Sequence, residues 1–197
     1  MKIIGLTGNI AVGKTTALGI FSKYGVPVIS CDEIYHNLLE TNSTLKSKLV
    51  EAFGRKILLN NKVCRKKLYK IILEDVKNLY LLEKITHPII LKEVFKKIEK
   101  LKHNKKYKLC VVDVPLLFEK KLQNKFDYII IVYSSKNIQV ERLKKRNVSR
   151  KLLNLLNSRQ IGIKKKFLLS DFIIYNDGIN KRELEMQIVR LLRFLIS

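Results

Sequence analysis

Gly8-Asn9-Ile10-Ala11-Val12-Gly13-Lys14-Thr15 decides the fold, because it matches the pattern G-x-x-x-x-G-K-[ST] between a strand and a helix. The preceding segment, Lys2 to Thr7, is short and apolar, and Thr15 to Tyr24 has the spacing of an amphipathic helix. Glycines let consecutive backbone N–H groups turn towards an anion, and the following helix adds the positive end of its dipole. The alternative is a strand-to-helix turn that contains glycines by chance. With Lys14 and Thr15 in register, we favour a site for a nucleoside triphosphate.

Two side chains of this loop have distinct predicted roles. Lys14 would reach the β- and γ-phosphates, and the Thr15 hydroxyl would ligate Mg²⁺. The residues predicted to contact the nucleotide here are Ala11, Val12, Gly13, Lys14, Thr15 and Thr16.

The composition bounds the size of the protein and its possible partners. A chain of 197 residues with 47% hydrophobic residues predicts one domain with an ample core. The formal charge of +23 suggests a nucleic-acid partner. However, lysines far outnumber arginines, whereas base readout favours arginine. Lys, Ile and Asn share A/T-rich codons, so we ascribe the charge to genome composition and expect no nucleic-acid partner.

The cysteines and the apolar segments indicate the compartment. Cys31, Cys64 and Cys110 are widely spaced and form no C-x-x-C, which argues against a disulfide framework or a zinc site. We recognise no signal peptide, and no apolar run approaches the length of a membrane span. The sequence therefore predicts a cytoplasmic protein with no membrane partner.

Short apolar strands alternate with helical patterns along the chain. Strands are predicted at the N-terminus and at 26–30, 109–113, 126–133 and 172–175. Strands separated by helices predict an α/β fold, a parallel five-stranded sheet with helices on both faces. The stretch from Ile34 to about Lys106 contains no clear strand and predicts a helical insertion, in which Pro88 predicts a break or kink after His87.

Two carboxylates follow predicted strands at the edge of the sheet where ligands gather. Asp32 is suited to hold an attacking hydroxyl in line, although it could also be a plain helix N-cap. Asp113 could hold Mg²⁺ through water or simply cap the end of its strand. Arg142 and Arg146 lie four apart on one helix, where they would bring positive charge to a transferring phosphoryl group or form a solvated basic face.

The chain resembles the dephospho-CoA kinases nearly from end to end. The resemblance is carried by the glycine loop and by four further segments: Val28 to Asp32, Leu82 to Pro88, Asp113 to Glu119, and a C-terminal set of Gln139, Arg142, Leu143, Arg146, Gln160, Asp171 to Asn176, and Gly178. The glycine loop is shared with many kinases of this class, whereas the His87-Pro88 and Asp113-to-Glu119 segments together are far more specific.

The resemblance implies ATP-dependent phosphorylation of the ribose 3′-hydroxyl of dephospho-CoA, within a P-loop kinase fold that has a helical acceptor-binding insertion and a lid. It implies that Lys14, Asp32 and Arg142 are catalytic and that Asn176 and Gly178 edge the adenine. It also implies that Asp32, His87, Asp113 and Leu117 contact the acceptor. The expected division is a core of 1–31, 108–146 and 168–197, a helical lobe of 32–107 and a lid of 147–167.

Four positions depart from the family pattern. Ala11 stands where glycine is usual, and a negative φ there would leave room for its Cβ. Leu91 replaces a basic residue that often follows the His-Pro pair, and Gly162 replaces a frequent proline. Leu156 lies where the lid usually has arginine, with Arg159 three residues away.

Two other functions fit part of the pattern. A small P-loop kinase for nucleoside monophosphates would need arginines for the acceptor phosphate, and the helical lobe offers Arg55 and Arg65. A nucleic-acid-stimulated P-loop ATPase would use the positive charge and bind in a salt-dependent manner. The His-Pro and Asp113-to-Glu119 segments favour the dephospho-CoA kinase over both.

Overall fold

The computed structural model describes residues 1–145 and 157–197. In chain order the elements are β1 (Lys2–Thr7), α1 (Lys14–Lys23), β2 (Val28–Ser30), α2 (Cys31–Thr41), α3 (Ser43–Phe53), β3 (Leu58–Leu59), β4 (Lys62–Val63), α4 (Arg65–Glu74), α5 (Val76–Lys102), β5 (Leu109–Asp113), β6 (Tyr128–Tyr133), α6 (Lys136–Lys145), α7 (Ile163–Leu168), β7 (Phe172–Tyr175) and α8 (Lys181–Ile196). Short 3₁₀ turns span Arg55–Ile57 and Gln123–Lys125.

Five strands form one parallel sheet in the order β2-β5-β1-β6-β7, which confirms the predicted architecture. All five residues of β5 are buried, as expected for a central strand whose two faces are both covered. The near-continuous apolar runs of β5 and β6 are the sequence signal of such strands.

The strand register places several carboxyl ends at one edge of the sheet. Ser30 at the end of β2 pairs with Asp113 at the end of β5, and Asp113 in turn pairs with Leu6 of β1. On the other side of β1, Thr7 pairs with Ile131 of β6. The loop of residues 8–13 leaves β1 at this same edge, where parallel sheets bind ligands.

The chain divides into two compact units, residues 1–30 with 98–197, and residues 31–97. The predicted boundaries of core, helical lobe and lid stay predictions. Arg146 and residues 147–156 of the predicted lid, which include Leu156, lie outside the described residues.

The first unit has its main core between the sheet and the two helices α1 and α8. Phe21 of α1 and Ile188 of α8 are fully buried with Ile4, Leu6 and Ile130 of the sheet. A capping box at the start of α8, in which Asn180 and Glu183 exchange hydrogen bonds, fixes where this helix begins.

The second unit consists of α2, α3, α4, the first part of α5 and the β3–β4 hairpin. Its core includes Leu45, Leu49 and Phe53 of α3, which lie on one face of that helix. Asn60 and Asn61 both have positive φ, 48° and 60°, as a two-residue hairpin turn requires.

Helix α5 runs through Pro88 without a break, so a break after His87 is wrong, and the alternative of a kink there stays a prediction. Proline removes one backbone hydrogen bond and crowds the carbonyl of Lys84, four residues earlier. Apolar residues are buried on both sides of Pro88, including Leu82 and Ile90. We infer that this tertiary packing outweighs the local cost of the proline.

Candidate active site

Two glycines of the loop lie where the structure admits no side chain. Gly8 has a φ of +153°, and a Cβ there would lie 2.5 Å from the carbonyl oxygen of Val132. Gly13 has a φ of +95°, and a Cβ there would overlap the Asn176 side-chain amide. Backbone conformation and close approach therefore both require glycine at the two ends of the loop.

Ala11 also has a left-handed backbone, with a φ of +59°. A negative φ would leave room for the Cβ of Ala11, but the observed φ is positive. A left-handed conformation costs a residue with a Cβ about 1–2 kcal/mol relative to the right-handed one. The loop keeps the glycine-like backbone at this position, and the alanine is strained within it.

Lys14 and the start of α1 give the loop its positive charge. The Lys14 ammonium donates to the carbonyl oxygens of Gly8 and Asn9 at 3.1 and 3.5 Å. Helix α1 has no acidic residue in its first turn and no side-chain cap, so its first N–H groups are open to an anion. Thr15 and Thr16 in this turn are exposed, whereas Val12 is buried.

Arg142 and Asn176 hold the loop from behind. The Arg142 guanidinium donates to the carbonyl oxygens of Ala11 and Val12 at 3.2 and 3.0 Å, and to that of Asn176 at 3.0 Å. The Asn176 side-chain amide donates to the Val12 carbonyl at 2.8 Å. Arg142 is thus half-buried against the loop rather than part of a solvated basic face. The predicted adenine-edge role of Asn176 and Gly178 stays a prediction.

The segment after β5 packs against β1, the strand that leads into the loop. Asp113 ends β5 with only 6% of its surface exposed, beside the end of β1. Leu117 is fully buried against β1, where a Cβ on Gly5 would lie 2.7 Å from its Cδ1. Gly5 therefore provides the space that Leu117 occupies, and the predicted acceptor contact of Leu117 stays a prediction.

Sequence reasoning missed a buried ion pair in this unit. The Lys166 ammonium of α7 lies 3.1 Å from Oε1 of Glu119, and the two side chains are 0% and 9% exposed. Burial lowers the pKa of Lys166, Glu119 partly opposes this, and the positive charge of Lys14 adds to the lowering. Glu119 belongs to a segment that the sequence had marked, but Lys166 is one of three consecutive lysines, and nothing in the sequence distinguishes it.

The candidate residues of the second unit lie on α2 and α5. Asp32 is the second residue of α2, which begins at Cys31, so it is not the N-cap residue, and it is exposed. Tyr35 is three residues further along the same helix, and burial raises the pKa of its phenol to about 12. His87 lies half-buried in the middle of α5.

No described residues form a cluster of three or more His, Cys, Asp or Glu side chains able to hold a metal ion. Mg²⁺ bound at such a loop takes few protein ligands and most of its oxygens from phosphate and water, so one hydroxyl in the first turn of α1 is a sufficient protein ligand. The donor set therefore fits a metal that enters with the nucleotide.

Known proteins resemble this chain in both sequence and fold. The family model described as dephospho-CoA kinase matches residues 2–181. A dephospho-CoA kinase from Bartonella quintana is 38% identical over 198 residues, with 100% of each chain covered. Among solved structures, a dephospho-CoA kinase from Campylobacter jejuni has a TM-score of 0.70 at 28% identity, covering 97% of this chain and 95% of the other.

A Thermus thermophilus protein has a TM-score of 0.80 at 21% identity, covering 100% of this chain and 98% of the other, and supports the fold alone. The family match spans the glycine loop, both of its supports and the helical unit. This chain therefore belongs to the dephospho-CoA kinase family.

Proposed function

We propose that this chain transfers the γ-phosphate of ATP to the ribose 3′-hydroxyl of dephospho-CoA, with coenzyme A and ADP as products. The observation that carries the proposal is the family match over residues 2–181, which includes a glycine loop fixed in shape by Arg142 and Asn176. Phosphoryl transfer needs positioning and charge stabilisation more than covalent help from the protein, and a rigid, positively charged loop supplies both.

The loop and the start of α1 are proposed to bind the triphosphate. Backbone N–H groups between Ala11 and Thr16 would donate to phosphate oxygens, and Lys14 would exchange its present carbonyl partners for the β- and γ-phosphates. Thr15 would hold Mg²⁺, which lowers the charge repulsion around the transferred group when it is bound. Arg142 would keep the loop in shape and add positive charge beside it.

Asp32 is proposed to hold the acceptor hydroxyl in line with the γ-phosphate. In a loose transition state the hydroxyl proton leaves late, so that orientation of the oxygen is the larger contribution of this carboxylate. Its exposure in the first turn of α2 leaves it accessible to a substrate. By the family resemblance, His87, Asp113 and Leu117 would contribute to binding the acceptor.

The remaining proposals concern location and partners. None of the helices in residues 1–145 and 157–197 is long and apolar enough to cross a bilayer. We place the enzyme in the cytoplasm because its three cysteines are free thiols, as a reducing compartment favours. The lysine-rich surface is proposed to have no nucleic-acid partner, since the family acts on a small molecule.

The test supplies ATP and Mg²⁺ with dephospho-CoA, with AMP, with RNA or with no acceptor, and measures ADP. We expect dephospho-CoA alone to raise ADP formation well above the blank. Faster turnover with AMP would favour a nucleoside monophosphate kinase, and stimulation by RNA would favour the ATPase. Lys14→Ala should abolish transfer, whereas Lys23→Ala at the exposed end of the same helix should retain it.

A further inference from the structure

The buried ammonium of Lys166 has more donors than its surroundings satisfy. It carries three N–H groups, but Glu119 Oε1 is the single oxygen at ion-pair distance within the described part of the chain. That same oxygen also accepts the Ile161 backbone N–H at 2.9 Å, and Glu119 Oε2 is buried without a hydrogen-bond partner among the described residues.

A contribution to stability explains the buried Lys166–Glu119 ion pair poorly. Removing two charges from water costs several kcal/mol per ion, and the attraction between them offsets this only when the remaining donors and acceptors are also satisfied. Here donors of Lys166 and one oxygen of Glu119 are not satisfied by protein groups that the structure describes. A buried lysine of this kind fits a role in binding better than a role in packing.

Packing of α7 places Lys166 at the edge of the sheet where the glycine loop lies. The next residue, Phe167, packs edge-on against Tyr133 at the end of β6, with ring centroids 5.2 Å apart. The Tyr133 carbonyl accepts the Asn176 backbone N–H at 2.8 Å, and the Asn176 side chain holds the loop at Val12. Three successive contacts therefore connect α7 to the loop.

The positive charge of Lys14 contributes, after burial, to the lowered pKa of Lys166. Lys14, Lys166 and Arg142 outnumber the buried carboxylates of Glu119 and Asp113 at this edge of the sheet. The excess positive charge in a largely buried environment favours a multiply charged anion, since unlike charges attract more strongly where water is excluded.

We propose that Lys166 is a second lysine of the triphosphate site. Its ammonium pairs with Glu119 in the absence of ATP and reorients to a phosphate oxygen when ATP binds. The four-carbon stem of lysine allows this reorientation, and the ammonium can form charge-assisted hydrogen bonds with phosphate. This inference rests on the proposed function only in taking ATP as the phosphate donor. Lys166 is thereby a candidate, besides Arg159, for the positive charge that the family's lid arginine would supply and that Leu156 does not.

The test measures binding of ATP and of AMP, each without acceptor, to Lys166→Met, Lys166→Arg and the control Lys164→Met on the exposed side of α7. Loss of a charge-assisted hydrogen bond should weaken ATP binding about ten- to hundredfold in Lys166→Met. AMP binding should change by less than about twofold, since AMP lacks the β- and γ-phosphates. Lys166→Arg should recover most of the ATP affinity, and Lys164→Met should match wild type.

A double variant separates binding from packing. Lys166→Met leaves the Glu119 carboxylate buried and uncompensated, so we expect the single variant to lose stability for that reason alone. In Lys166→Met with Glu119→Gln, both charges are removed and thermal stability should recover, but the preference for ATP over AMP should stay reduced. If the double variant binds ATP as tightly as wild type, Lys166 serves only to neutralise Glu119, and the proposal is wrong. Because no acceptor is present, failure to phosphorylate dephospho-CoA would not affect this result.

Discussion

Replacement of Gly13 by alanine should damage the loop far more than an alanine at a comparable glycine elsewhere. The φ of Gly13 is +95°, which costs a residue with a Cβ about 1–2 kcal/mol. The new Cβ would overlap the Asn176 side-chain amide, which donates to the Val12 carbonyl. Displacing this buried donor and acceptor adds about 1–3 kcal/mol. The expected loss of unfolding free energy is therefore about 2–5 kcal/mol.

Gly25 provides the matched control. Its φ is +75°, but a Cβ on Gly25 would meet no other atom within 4 Å. Gly25→Ala should therefore cost only the conformational part, about 1–2 kcal/mol. Urea denaturation of both variants measures the difference in unfolding free energy, provided that the two variants have equal m-values. Equal losses for the two variants would refute the close packing of Asn176 against the loop.

Three further predictions concern single side chains. Asp32→Asn should keep the wild-type affinity for ATP and lower kcat about a hundredfold or more, because the acceptor hydroxyl loses its orienting carboxylate. Unchanged turnover would remove Asp32 from this role, and Glu33→Gln is the control. Ala11→Gly should raise the unfolding free energy by about 1 kcal/mol in chemical denaturation by relieving the left-handed strain, and a decrease would contradict the assigned φ. The raised pKa of Tyr35 means that the folded protein holds this proton longer than the unfolded chain does, so stability should fall as the pH rises from 10.0 towards about 12. Tyr35→Phe should reduce that fall and remove a late phase from the ultraviolet titration of tyrosine; persistence of the phase would show that Tyr35 is not its source.

The sheet could be predicted from the sequence because local pattern and tertiary position agree. Continuous apolar runs such as Leu109 to Val112 form buried parallel strands. The glycine loop was equally clear, because Gly8 and Gly13 satisfy backbone requirements that no other residue meets without strain.

The features that sequence reasoning missed depend on contacts between distant segments. Proline generally disfavours a helix, but buried residues on both sides of Pro88 stabilise α5 as one continuous helix. The sequence marked Arg142 as a candidate, but only the fold shows that it binds carbonyl oxygens of the loop 130 residues away. Lys166 is one of three consecutive lysines, and only the fold shows that it, unlike Lys164 and Lys165, is buried beside Glu119.

The central claim is transfer to one hydroxyl, and the most direct measurement follows the phosphate itself. The enzyme is incubated with Mg²⁺ and ATP labelled in the γ-phosphate, together with dephospho-CoA or an analogue that lacks the ribose 3′-hydroxyl. We predict that the label appears at the 3′ position of coenzyme A, in equal amount to ADP, and that the analogue gives no labelled product. Label found in inorganic phosphate at the same rate with both compounds would contradict the assignment.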